Sequence, residues 1–378
     1  MAKTMKLIHT SDIHFGISVN ERSLAEEQEK VVSEILRAAD ETGAEGLIIA
    51  GDVFDRAVTN AKALSLYDDL ITELYKRDKR VFVIAGNHDA PDRLALLGGL
   101  LNKSGIYISG RLTADIEPIS FGNCDIYLLP YFNLDSAKAL YPDENFESYQ
   151  QAFCFVTAKI REKMDKNRFN IAVSHSYVAG GELSESDRAA RLGQAMIVPS
   201  EAFEGFDYTA LGHLHAPHFV AEKVRYSGTP YPYSFGEKGG GKTLTIIDTE
   251  NGEISYFPMN NFSRTLRTIK DTYENIREIA EKDENKDDYI KIILTDKYPT
   301  ADIYAEFRSV YPNLLAFERE VYGAKSSASA LSAEKIEAID PDELLESYFE
   351  GRKEALGDFE KEWFHKALEA VTKGDDAQ

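Results

Sequence analysis

Five of the eight histidines in this 378-residue chain stand in short segments that also offer carboxylates or an amide. The segments are Asp12-Ile13-His14, Gly51-Asp52-Val53-Phe54-Asp55, Gly86-Asn87-His88-Asp89, Ser174-His175 and Gly212-His213-Leu214-His215. Imidazole, carboxylate and amide donors without a thiolate suit Mn, Fe or Zn in a reactive centre better than a structural zinc. Asp12 and His14 are two apart, as are His213 and His215, so in extended backbone both members of a pair point the same way. Seven such ligands would be enough for two metals if one carboxylate bridges them. Any one of these histidines alone would more often be a surface or hydrogen-bonded core residue. The ordered set of five segments carries the reading. His9, His218 and His365 fit no element of it and read as structural or solvent-exposed, His218 lying close enough to support a ligand from behind.

Each segment follows a strand pattern. Strands are expected at residues 6–10, 46–50, 80–85, 125–129, 169–174, 208–211, 224–226 and 244–248. Val31/Ile35 and Val32/Leu36/Ala39 recur at helical spacing, and a second helix is expected over residues 61–77. Strands separated by helical crossovers and closed by Gly-polar turns predict an α/β fold with parallel strands at its centre. In such folds ligands bind where the strands end. The last strands follow one another without helices, which predicts a second, more antiparallel sheet and thus a two-sheet sandwich flanked by helices. Residues 263–320 restart as strand, helix, strand, helix, strand. A Ser/Ala/Gly-rich linker follows at 322–333, and Asp340-Pro341-Asp342-Glu343 has the form of a helix start. The expected division is 1–262, 263–321, the linker, and a helical tail at 334–378.

Composition narrows the class. A hydrophobic fraction of 43% and a charged fraction of 28% are those of a globular protein. No window approaches the roughly 18–20 apolar residues of a membrane helix. Met1–Thr10 has no apolar core or cleavage site, so the expected location is cytoplasmic. Cys124 and Cys154 are too few for a disulfide framework. A net charge of −21 argues against a stand-alone nucleic-acid binder, although bound metals or a partner can supply positive charge locally.

The order Asp-x-His, Gly-Asp-x-x-Asp, Gly-Asn-His-Asp, His, Gly-His-x-His resembles the calcineurin-like metallophosphoesterases over about residues 5–250. The resemblance implies one metal on Asp12, His14, Asp52 and His215. It implies a second on Asp52, as bridge, with Asn87, His175 and His213, and it makes His88 the non-ligand histidine facing the scissile phosphate. Tyr208–Gly212 with the histidines after it, then residues 224–230, Ser234-Phe235 and Tyr311-Pro312-Asn313 are similar to the SbcD nucleases. That family implies a DNA exonuclease and endonuclease, Mn-dependent (Mg, Fe or Zn being possible), acting at double-strand ends and hairpins in DNA repair and recombination. It also implies a middle module that caps the site, a homodimer within a heterotetramer, and an SbcC-like ATPase partner. Two positions depart from the pattern. Asp55 stands where archaeal and eukaryotic relatives have a second catalytic histidine, and Ser174 stands where glycine is common.

The implied chemistry is phosphodiester hydrolysis, with two divalent ions clamping the phosphate and activating water. A protonated His88 can stabilise the developing charge or give a proton to the departing oxygen. Asp55 can orient His88 or a water, or only cap the following turn. The same ligands would serve an enzyme acting on a small or protein phosphoester, and a scaffold with a decayed site is the remaining alternative. The appended module and tail favour the nuclease. In the tail, Leu344, Leu345, Tyr348 and Phe349, then Leu356, Phe359 and Trp363, recur at helical spacing, as expected of an element that docks on the ATPase.

Overall fold

The computed structural model describes residues 4–182, 196–237, 241–296 and 303–320, with Leu345, Phe349, Gly357, Lys361, Phe364 and His365. Apart from those six positions, the expected linker and docking tail, Trp363 included, lie outside the described residues.

Two six-stranded sheets form the body. In the first, Lys6–Thr10, Gly46–Ala50, Arg80–Ile84 and Ile106–Ser109 run parallel. Thr243–Asp248 pairs antiparallel with Lys6–Thr10, and Ile254–Pro258 lies outside it. The run Gly46–Ala50 is wholly buried because both its faces are covered. Leu47 and Ile49 face a helix-side cluster, whereas Ile48 and Ala50 face the other sheet. The helix Ala25–Glu41 covers the outer face through Val31, Val32, Ile35, Ala38 and Ala39. The helix Ala61–Lys76, capped by Asn60 accepting from the Ala63 amide, does so through Ala63, Leu66, Leu70 and Leu74. Both show the three- and four-residue spacing of a one-sided helix.

The second sheet departs from the expectation of a mainly antiparallel arrangement. Cys124–Leu129, Phe169–His175, Tyr208–Gly212 and Val224–Tyr226 are all parallel neighbours, and only the edge strands Ile119–Phe121 and His218–Ala221 are antiparallel. Thr243–Asp248, expected beside them, joins the first sheet instead. The helix Tyr149–Glu162 supplies one of the crossovers and packs Phe153, Val156 and Ile160 on the outer face. Between the sheets lies a buried apolar layer including Leu7, Phe82, Ile84, Ile126, Ile171, Val173 and Ala210. This sandwich points the first sheet's parallel strands and the second's at one common edge.

After residue 262 come Leu266–Asp271, Tyr289–Leu294 and Leu314–Arg319, three parallel strands. The helices Tyr273–Lys282 and Ile303–Val310 connect them, and Ile276, Ile290, Ile292, Phe307 and Leu314 form their own core. The Tyr231 hydroxyl donates to the Arg264 carbonyl and the Asn20 amide to the Leu315 carbonyl, tying this unit to the body.

Candidate metal centre

The five segments meet where the parallel strands end. Each chain must turn sharply there, and the backbone shows the cost. Asp12, His14, Asp52 and His213 have φ of 52°, 48°, 48° and 106°, values L residues rarely adopt and that tend to mark functional sites. The expected extended pairs therefore do not form. The strands stop at Thr10 and Gly212, and curled loops carry the members of each pair onward. Gly51, at φ 89°, makes one such turn, and a Cβ there would lie 2.3 Å from His175 Nδ1. Gly86 is needed for close approach, since a Cβ would stand 2.1 Å from Asp52 Oδ1.

Asp12, His14 and His215 bring ligand atoms within 4.8 Å of one another, as do Asp12, Asp52 and His175. Asp52 stands between the groups, its Oδ2 3.8 Å from His14 Nε2 and 3.4 Å from His175 Nε2. Asn87 Oδ1 lies 3.0 Å from both His175 Nε2 and His213 Nδ1. All seven expected ligands are thus brought together. Asp12, His14, Asp52 and His175 are buried, whereas Asn87 and His88 open to solvent. A cavity of about 540 Å³ beside Asn87, walled partly by Tyr131 and Arg111, gives room for a substrate.

A divalent cation fits this set. His14 is buried, yet neither ring nitrogen has a hydrogen-bond partner among the described residues. Such an orphan is costly unless something coordinates it. His175 donates from Nδ1 to the Ala50 carbonyl at 2.9 Å, which leaves Nε2, facing Asn87 and Asp52, as the nitrogen a metal would take once its proton is lost. Burial lowers the His14 pKa to about 3, the Asp52 charge not compensating, so this ring is neutral and able to bind metal. Burial also pulls His175 down, but the charge and hydrogen bond of Asp52 outweigh it and raise it to about 9. Burial pushes Asp12 up to about 6. Asp52 is pushed up by burial too, yet the His175 ring outweighs that and holds it well below the usual carboxylate range.

His88 donates from Nδ1 to the main-chain carbonyl of Asp55 at 2.8 Å, leaving Nε2 4.0 Å from Asp52 Oδ2. The Asp55 carboxylate does not make that hydrogen bond. It pairs with Arg56 at 3.3 Å and lies within 4.8 Å of ring nitrogens of His14 and His88. His9 is structural: the Leu211 carbonyl can only accept, so Nε2 donates to it and Nδ1 accepts from the Tyr208 hydroxyl. His218 binds the main chain of Ala216 and Glu182 and stacks on Tyr226.

Several supporting residues escape a reading of the sequence. Asp89 accepts from the amides of Val53, Phe54 and Gly86, stapling two ligand loops together. Gln28 accepts from Gly16 N and donates to the carbonyls of Ile13 and His14. His215 donates from Nδ1 to Glu237 Oε1 at 3.2 Å. Burial would raise Glu237, but the His215 hydrogen bond and the Lys242 charge outweigh it and hold the carboxyl at about 2. Asp89 closes the Gly86-Asn87-His88-Asp89 segment, but nothing in the sequence marks this stapling role; Gln28 and Glu237 carry no local signal.

A family model for the calcineurin-like phosphoesterases matches residues 5–217. A second, described as the Type 5 capsule protein repressor C-terminal domain, matches residues 263–353. Two curated relatives are named as the SbcD subunit of the nuclease SbcCD. The one from Staphylococcus saprophyticus is 30% identical over 349 residues, covering 91% of this chain and 92% of the relative. The one from Staphylococcus epidermidis is 28% identical over 350 residues, with coverage of 91% and 92%. Among solved structures, TT1561 of Thermus thermophilus matches with a TM-score of 0.41 at 12% identity, covering 68% of this chain and 100% of that one. The chain therefore belongs to the calcineurin-like phosphoesterases, metal-dependent hydrolases, and within them to the SbcD family. No helix among the described residues is long and apolar enough to cross a membrane.

Proposed function

We propose that this chain is the nuclease subunit of an SbcC–SbcD-type complex, hydrolysing phosphodiester bonds at DNA double-strand ends and hairpins with two divalent ions, Mn2+ foremost. The observation that carries the reading is the buried His14 ring, without a hydrogen-bond partner among the described residues, set in a double cluster of ligands around Asp52. Asp12, His14, Asp52 and His215 would hold one ion, and Asp52, Asn87, His175 and His213 the other. Bound there, such ions supply Lewis-acid polarisation of the phosphate and a nucleophile at neutral pH.

The chain's own groups do the rest. Ala50 and Asp55 carbonyls fix the rings of His175 and His88, so that His88 Nε2 faces the centre from its solvent-exposed side. From there it can donate to a phosphoryl or leaving oxygen. Asp55 acts on His88 through its main chain, and its carboxylate is near enough to hold a water against His14 and His88. The net charge of −21 supports dependence on a partner, an SbcC-like ATPase, for basic DNA-binding surface. Exposed Leu96, Leu97 and Leu100 give the homodimer an apolar contact surface. The unit after residue 262 is the cap, and residues 334–378 the docking tail.

Metal analysis of chelator-stripped, reloaded protein tests the centre: two ions per chain are expected, and Asp52→Ala should abolish tight binding of both. Saturation at one ion, or tight binding by Asp52→Ala, would overturn the two-metal arrangement.

A further inference from the structure

Between the strands Val224–Tyr226 and Thr243–Asp248, Glu237 and Lys242 form a buried ion pair behind the metal centre. Glu237 is 8% exposed. Its Oε1 accepts from His215 Nδ1 and from Tyr233 N, both at 3.2 Å. Its Oε2 accepts from Lys242 Nζ at 2.6 Å and from Thr229 Oγ1 at 3.1 Å. Lys242 Nζ also donates to Thr229 Oγ1 at 2.6 Å and to the His215 carbonyl at 3.1 Å. The same segment braces a second ligand, since the Tyr233 hydroxyl donates to the Ile13 carbonyl and its ring stands edge-on to His14 at 6.0 Å.

A buried carboxylate–ammonium pair is a poor device for stability alone, because apolar side chains of similar size would do as well or better. Here the pair ends on a metal-ligand candidate. An ionised carboxylate can only accept, so His215 Nδ1 must carry the proton; in the neutral ring Nε2 then offers its lone pair. His215 belongs with Asp12 and His14, and none of these four donors to Glu237 comes from Asn87, His175 or His213.

We infer that Glu237, held by Lys242, is a positioning residue that sets the tautomer and orientation of His215 and so tunes one of the two metal positions and not the other. The inference rests on the two-metal reading above. Carboxylates behind a metal-bound imidazole raise its basicity, and their loss weakens binding by about 10- to 100-fold.

The test uses the full chain, chelator-stripped and titrated with Mn2+ by calorimetry, with histidine-selective 15N labelling to read ring tautomers in the metal-free protein. In the wild type, two ions bind and His215 shows the Nδ1–H form. Glu237→Leu should weaken one ion about 10- to 100-fold, leave the other unchanged, and convert the His215 signal to a tautomer mixture. Glu237→Gln keeps an acceptor for Nδ1–H and should preserve the tautomer with a smaller loss. Unchanged affinity for both ions in Glu237→Leu overturns the inference. So does equal weakening of both in a cooperatively folded variant, which would mark a structural role. If Glu237→Leu does not fold, Glu237→Gln and Lys242→Met decide, and wild-type affinity at both positions in each overturns the proposal. A wild type that binds fewer than two ions overturns the two-metal reading itself.

Discussion

Replacing Gly86 by alanine should damage the metal centre far more than one methyl group suggests. An added Cβ would lie 2.1 Å from Asp52 Oδ1 and 2.3 Å from Asp52 N, where real contacts are not shorter than 3.0 Å. The Asp52 carboxylate or the Gly86 loop must then yield by about 1 Å, and overpacking of this kind costs on the order of 1–3 kcal/mol. Neither side moves freely. Gly86 N is tied to Asp89 at 2.8 Å, and Asp52 Oδ1 accepts from His88 N at 2.9 Å. Since Asp52 is the carboxylate we propose to be shared, a displacement near 1 Å should lower turnover by on the order of 10²-fold. Gly99→Ala is the control, because a Cβ there meets nothing within 4 Å. Thermal melting, Mn2+ titration and hydrolysis of bis(p-nitrophenyl) phosphate report the three effects. A Gly86→Ala protein with wild-type melting, metal affinity and turnover would refute this steric reasoning.

His88→Ala should lower hydrolysis by about 10²–10⁴-fold while both ions stay bound; loss of metal, or undiminished activity, would show that its role is different. Metal affinity should rise with pH up to about 9, because the His175 ring must give up its proton before Nε2 can bind. Loading in weak buffer at pH 7 should therefore release protons, and calorimetry in buffers of different ionisation enthalpy reads them directly. His9 is held neutral by burial and by Arg225, its pKa lowered to about 3 from 6.5. The unfolded state therefore binds the extra proton first. His9 should contribute stability that is complete above pH 6.5 and is lost toward pH 3 at up to roughly 1.4 kcal/mol per pH unit. NMR titration should find it still uncharged at pH 5.

Much of this was legible in the residues because metal chemistry uses few side-chain types. Buried parallel strands such as Gly46–Ala50 announce themselves as apolar runs, and a Gly-Asp or Gly-Asn at the end of such a run marks the ligand loops. The route by which Asp12 and His14 converge was not legible. Spacing two apart suggests extended backbone, whereas both residues are left-handed, a choice imposed by hydrogen bonds from the Asp12 and His14 amides to the carbonyls of Gly51 and Asp52. Sheet order was hidden for a similar reason. Thr243–Asp248 finds its partner more than 230 residues earlier, at Lys6–Thr10, and nothing local records that. Gln28 and Glu237 look like ordinary polar residues on a helix and a loop until the fold buries them against the site.

The most direct test of the account is a nuclease assay on linear duplex and hairpin DNA. It uses chelator-stripped protein, reloaded with Mn2+, with and without an SbcC-like ATPase and ATP. The account predicts no cleavage without metal, salt-sensitive cleavage by the loaded chain alone, and full activity on duplex ends only with the partner. Cleavage by the stripped protein, or hydrolysis of small phosphodiesters with DNA left intact under every condition, would contradict it.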